Sequence, residues 1–149
     1  MFTEHWYPVT SGDIRAYQIF LRHYSARPNR GSRRGKNSKR FTPPGEHIVL
    51  LTSACDALFV WVKEKFRLDG QAGVNCSVFR NESAVLSSEL ILEAEGLAWS
   101  KWPGERLFTF VDSTKIKSSN AGYCFKKAGW KQCGISKAKK LVILEKLPS

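Results

Sequence analysis

One mixed β-sheet flanked by helices, of the α/β (α+β) class, is the fold this sequence predicts. Three observations point to it. Short apolar runs rich in β-branched and aromatic residues, bounded by Gly, Pro and Asp, read as strands. Stretches with apolar residues at helical spacing separate them. The passage from Val74 to Val111 reads strand, helix, strand, which normally makes a right-handed crossover between parallel strands. With 149 residues, 42% of them hydrophobic, the chain can bury a real core, and 1–149 is read as one domain with a central twisted sheet.

From Ser11 to Tyr24, residues Ile14, Tyr17, Ile19, Phe20 and Leu21 recur at helical spacing, with Ser11 placed as the N-cap and Asp13 in the first turn. One amphipathic helix is expected there. Arg27 to Arg40 then carries seven basic residues and no acidic one, a composition that cannot bury itself, so a basic loop is expected over about 25–44. After Pro43-Pro44-Gly45, the runs His47 to Thr52 and Ala57 to Phe66 predict a hairpin turning at Ser53 to Asp56. Val74 to Arg80 is a third strand after the Asp69-Gly70 turn.

Val85 to Trp99 sets Leu86, Leu90, Ala94 and Leu97 on one face, the pattern of a half-buried helix, which Pro103-Gly104 ends. Leu107 to Val111 is a strand, and Asn120 to Ala128 a short helix stopped by Gly129. Trp130 to Cys133 and Leu141 to Leu147 are the last two strands. No internal repeat appears in the sequence.

Lys and Arg outnumber Asp and Glu by 24 to 13, a net charge of +11 at pH 7, so the expected partner is a polyanion, nucleic acid first. The longest apolar stretches, His47 to Leu51 and Ala57 to Val62, fall short of the roughly 18 to 20 residues that a membrane span needs. Met1 to Pro8 lacks the basic and apolar regions of a secretory signal, which predicts a cytoplasmic protein and no membrane partner. Cys55, Cys76, Cys124 and Cys133 lack paired CxxC spacing, and reduced thiols are expected. His5, His23 and His47 show no HxxxH spacing, so no metal site is expected.

The segment Asn120-Ala-Gly-Tyr-Cys-Phe-Lys-Lys-Ala-Gly-Trp130 resembles the C-terminal motif of the GNAT acyltransferase superfamily. Gly129 there would let the chain leave the helix in a left-handed conformation, and Trp130 would begin the next strand inside the core. The sequence departs from that pattern twice. Phe125 stands where many such enzymes carry an acidic tyrosine, and the Gly-rich pyrophosphate loop is replaced by Phe79-Arg-Asn-Glu-Ser-Ala-Val-Leu-Ser-Ser88.

A narrower resemblance, from about His23 to Glu145, is to the bacteriophage Mom-like DNA-modifying proteins, a GNAT-related group that alters adenine in phage DNA and so defeats host restriction. His23, Tyr24, Arg80, Ser88, Asp112 and Tyr123 carry it. The resemblance implies a GNAT-like sheet splayed near its middle and a transferase that adds a glycine-derived carbamoylmethyl group to adenine N6 in the host cytoplasm. The base must be extruded from the duplex, at a cost of a few kcal/mol. Phosphate contacts would offset it, from Arg27, Arg30, Arg33, Arg34, Lys36, Lys39 and Arg40 of the basic loop and, on the other side of the site, from the segment Ser113 to Lys140, which holds eight lysines, Lys115 and Lys117 among them, and no acid. Tyr24, Trp99, Trp102 and Tyr123 are candidates for stacking on the base, and core positions are the alternative for the tryptophans.

In that scheme Asp112 accepts a proton from the adenine amino group or orients it, with a turn cap at Ser113-Thr114 as the alternative. Arg80 holds a phosphate or carboxylate of the donor, or else pairs with Glu82 or Glu89. Ser88 donates to a donor carbonyl, Tyr123 stabilises an oxyanion, and His23 is a base or a helix cap. The missing pyrophosphate loop disfavours acetyl-CoA, and a glycyl donor such as glycyl-tRNA is expected in its place, with tRNA as a second nucleic-acid partner beside duplex DNA. The alternatives are an acetyl-CoA-dependent N-acetyltransferase and a nucleic-acid-binding protein without catalysis.

Overall fold

A strand whose residues are apolar in an unbroken run must be covered on both faces. β3 (Ala57–Glu64) is such a strand, with every residue from Ala57 to Val62 buried. In a computed structural model it sits inside a mixed sheet built from β1 (Trp6–Val9), β2 (Gly45–Thr52), β3, β4 (Val74–Asn81), β5 (Leu107–Val111), β6 (Lys131–Ile135) and β7 (Val142–Lys146). The helices are α1 (Ile14–Leu21), α2 (Ser87–Lys101) and α3 (Tyr123–Lys127). The structure describes residues 4–23, 42, 45–64, 67, 69–113, 122–137 and 139–148.

The strand order is β1-β2-β3-β4-β5-β7-β6. Only β4 and β5 pair in parallel; the other neighbours are antiparallel. The molecule is thus a single mixed α+β domain, with the expected crossover from Val74 to Val111 made through α2. On one face α2 and α3 cover Phe59, Trp61, Val74, Cys76, Leu107, Val111 and Leu144. On the other, Ala16 and Ile19 of α1 cover Val49, Leu51, Leu58, Val60, Val62 and Val78. A buried Glu95 ties the first layer together: its carboxylate accepts from Trp130 Nε1 (2.8 Å) and pairs with Lys146 Nζ (2.7 Å), which also donates to the Ala128 carbonyl (2.7 Å).

The parallel pairing is short. Val74, Asn75 and Cys76 pair with Leu107, Phe108 and Thr109, and there it stops, although β4 continues to Asn81 and β5 to Val111. Ser77 is a bulge residue, because Trp61 lies opposite Cys76 while the adjacent Val60 lies opposite Val78. Thr109 Oγ1 donates to the Cys76 carbonyl (2.9 Å), a side chain closing the last of the pairing. Beyond it the two strands part.

Several expectations need correction. β1 was not anticipated: it is four residues long, Pro8 interrupts it, and only Trp6 is buried, so no period-two pattern marks it. Trp6 nonetheless anchors the strand, donating from its indole to the Leu90 carbonyl (2.8 Å). The cap of α1 is Asp13, not Ser11; its carboxylate accepts from the amides of Arg15 (2.9 Å) and Ala16 (3.2 Å). The helix ends at Leu21, short of Tyr24. Leu86, placed on the buried face of α2, is instead 66% exposed at the position before its first turn. Gly129 is left-handed (φ 95°) and Trp130 is buried, as expected.

Candidate functional site

In an open sheet with parallel strands, functional groups emerge where those strands run out. Here that is the carboxyl end of β4 and β5, and four segments meet it. The end of β4 brings Arg80 and Asn81, and the residues after α1 bring Arg22 and His23. The start of α2 brings Ser87 and Ser88, tied to the strand because Asn81 Nδ2 donates to Ser87 Oγ (3.0 Å) and to the Val85 carbonyl (2.7 Å). The end of β5 brings Asp112, half-buried, one residue past Val111.

The start of α3 lies over the same end. Gly122, left-handed at φ 74°, precedes it, and a Cβ there would meet Leu144 Cδ1 at 2.2 Å and Val111 Cγ2 at 3.6 Å. Only glycine satisfies both the conformation and the approach. Tyr123 follows, 54% exposed.

Arg80 is fixed by its own protein on two sides. Its Nε donates to Glu82 (2.6 Å) and its Nη1 to the Arg22 carbonyl (2.8 Å). Glu82 also accepts two bonds from Arg22 (2.6 and 2.8 Å). The Arg22 and then the Arg80 hydrogen bonds pull its carboxyl down to about 2. Of the two partners open for Arg80, Glu82 is therefore the one it takes, and its Nη2 has no partner among the described residues.

His23 is buried beside this group. Burial first, and the Arg80 charge second, push its pKa down to about 4, against a hydrogen bond with the Phe79 backbone. The ring is uncharged at neutral pH. It is then an uncharged neighbour of Arg80, hydrogen-bonded to the Phe79 backbone, and a weak base.

The structure brings His23 and Arg80 into one cluster on the α1 side of the sheet. Ser88 and Tyr123 belong to the α2 and α3 side, and the end where β4 and β5 part lies between the two groups. Tyr24, Arg27, Arg30, Arg33, Arg34, Lys36, Lys39, Arg40, Lys115 and Lys117 lie outside the described residues, as does the loop 25–44 except for Thr42.

Trp99 and Trp102, candidates for stacking on a base, are corrected. They end α2 at the opposite end of the sheet, where Trp99 Nε1 donates to the Glu105 carbonyl (2.8 Å) and buried Trp102 donates to Glu46. Their indole surfaces are spent on the core.

Sequence reasoning missed Asn81 at the site, and it did not place Glu82 or the last lysines of the basic segment. Asn81 organises the β4–α2 turn, its Oδ1 also accepting from the Ser83 amide (2.9 Å). An asparagine at the end of an apolar run was the available signal. Glu82, one of the two acids expected for Arg80, also binds Arg22, and lysines 137, 139 and 140 of the basic segment Ser113 to Lys140 reach this end only because β7 pairs with β5.

Glu4, His5 and Glu93 present ligand-type atoms within 4.8 Å of one another. Both Glu93 oxygens are engaged, by the Glu4 amide (3.0 Å) and by His5 Nδ1 (2.8 Å), so the group reads as a pin between the segment before β1 and α2. All four cysteines are unpaired. Among the described residues no helix is long and apolar enough to cross a membrane. Comparison of the chain with protein-family models, with curated proteins and with solved structures found no match.

Proposed function

We propose that this protein is a GNAT-like, Mom-like transferase that places a glycine-derived carbamoylmethyl group on adenine N6 in duplex DNA, and that its reacting groups stand at the carboxyl end of β4 and β5. The observation that carries this reading is the parting of those strands after three paired positions, in line with the splayed sheet the resemblance implies. The residues of the resemblance within the described segments flank that end from both sides of the sheet, His23 and Arg80 on the α1 side, Ser88 and Tyr123 on α2 and α3, with Asp112 one residue past β5. The charge of +11 supports a polyanionic substrate.

In this scheme the adenine is extruded toward Asp112, which takes or orients the N6 proton. Arg80, held by Glu82 and the Arg22 carbonyl, keeps Nη2 for an anionic or carbonyl oxygen of the donor. Exposed Tyr123 covers the base or stabilises the oxyanion. The donor is a glycyl ester such as glycyl-tRNA: N6 displaces the ester oxygen and is acylated. The free glycyl amine then attacks C6 through a five-membered ring, the C6–N6 bond breaks, and the former N6 leaves as the terminal amide.

The test is nucleoside mass spectrometry of duplex DNA incubated with the protein and glycyl-tRNA. Gain of one carbamoylmethyl mass on adenine is expected, and adenine of unchanged mass refutes the donor. One observation favours a second reading, an acetyl-CoA-dependent N-acetyltransferase: Leu86, the residue before α2, gives the helix no side-chain cap, which leaves its N-terminus to a phosphate. Acetyl-CoA would then raise the melting temperature, whereas the first reading predicts no shift.

A further inference from the structure

The connection between β6 and β7 spans residues 136–141, and it is a cationic tip on the same end of the sheet. Val142 pairs with Val111 on β5 and with Ile135 on β6, so the turn stands next to Asp112. The turn is closed by Ser136: its amide donates to the Leu141 carbonyl (2.8 Å), its carbonyl accepts from the Lys140 amide (3.1 Å), and its hydroxyl accepts from the Leu141 amide (2.9 Å). Lys137, Lys139 and Lys140 project from this frame, all exposed.

None of the three has an acidic partner among the described residues. The one acid of β7, Glu145, is bound to Arg106 (2.6 Å), toward the other end of the strand. Lys140 moreover holds a left-handed backbone (φ 57°) that glycine or asparagine would adopt more easily. Three like charges on one tight turn repel one another, and an anion that meets them lowers that energy.

We infer that this hairpin grips the backbone of duplex DNA, Lys137, Lys139 and Lys140 contacting phosphates beside the base presented to Asp112. This rests on the proposed function and adds to it the element that seats the duplex. A membrane is the competing polyanion; beside the three lysines Ile135 is the large apolar side chain that stands exposed (56%), far less than the apolar face with which an interfacial helix inserts into lipid.

The experiment uses the full chain and a labelled DNA duplex, with affinity read by fluorescence anisotropy from about 50 to 200 mM salt. Substituting Lys137→Ala, Lys139→Ala and Lys140→Gly together should flatten the plot of log K against log salt by about 3, and Lys137→Ala or Lys139→Ala alone by about 1. Lys101→Ala, on the opposite end of the sheet, should leave the slope in place. A wild-type slope retained by the triple and single variants overturns the hairpin's role while leaving the proposed function standing. Tighter binding to vesicles of anionic lipid than to the duplex, lost in the same variants, assigns the hairpin to lipid instead. Failure of the wild-type protein to bind duplex DNA at low salt overturns both.

Discussion

Where β4 and β5 begin, three cations and both indoles of the end of α2 are satisfied by their own neighbours. Lys63 pairs with Glu105 (2.7 Å), Arg106 with Glu145 (2.6 Å) and Arg67 with Glu64 (2.6 Å), while Trp99 and Trp102 spend their N–H groups on Glu105 and Glu46. Arg67 and Arg106 also lie over the Phe108 ring, at 5.0 and 4.9 Å. Where the same strands finish, the pairing has stopped, Tyr123 is exposed, and three lysines face outward without acids. The first end resembles a finished interior surface. The second has donors and cations to spare, and such a surplus is what an anionic ligand requires.

Substitutions should break this contrast unequally. The largest stability loss belongs to the closed half: Trp61→Ala removes a fully buried indole that donates to the Ala94 carbonyl and stacks on Trp130, and should cost roughly 4 kcal/mol in urea unfolding. A loss under about 1 kcal/mol would mean that this half is not the stabilising one.

Next comes pH, acting at the open end. His23 has a pKa of about 4 when folded against 6.5 as its ordinary value, so between those values the unfolded chain binds a proton that the folded chain does not. Stability should therefore be complete above pH 6.5 and fall by roughly 3 kcal/mol as pH drops toward 4. Glu82, held down to about 2, adds its own loss below its usual range, as pH falls from 4.5 toward 2. His23→Gln should flatten the upper window and leave the lower one. An unchanged profile would place His23 outside the buried cluster.

A smaller effect has the opposite sign. Lys140→Gly should stabilise the fold by about 1 kcal/mol or less, because glycine adopts the left-handed turn without strain. The same change should weaken DNA binding, so stability and affinity would move apart. The smallest effect is expected from Lys63→Met, whose partner Glu105 is also partly exposed; the unfolding midpoint should not move beyond scatter.

Much of this frame was legible in the amino-acid order. Leu107 to Val111 reads as a strand at the bounds the structure has, and the crossover through α2 follows from spacing alone. Elements with little burial were harder to see: β1 has one buried residue, and the start of α2 is set by the Asn81 turn instead of by apolar period. The candidate site was legible as residue types but not as a place. Nothing local says that β7 returns to pair with β5, and that pairing carries Lys137, Lys139 and Lys140 to Asp112. Arg80 illustrates the same point, since two acids lay within reach in sequence and the path of α1 selected Glu82 by bringing Arg22 to it.

The central claim is that the open end of the sheet performs chemistry on a purine. Mass spectrometry of nucleosides from DNA of cells expressing either the wild-type chain or Asp112→Ala tests it directly. Adenine carrying a carbamoylmethyl group should appear with the wild-type protein and fall by about 100-fold or more with the variant, while duplex binding stays within about twofold. Unmodified adenine in both samples, or equal modification in both, would contradict it.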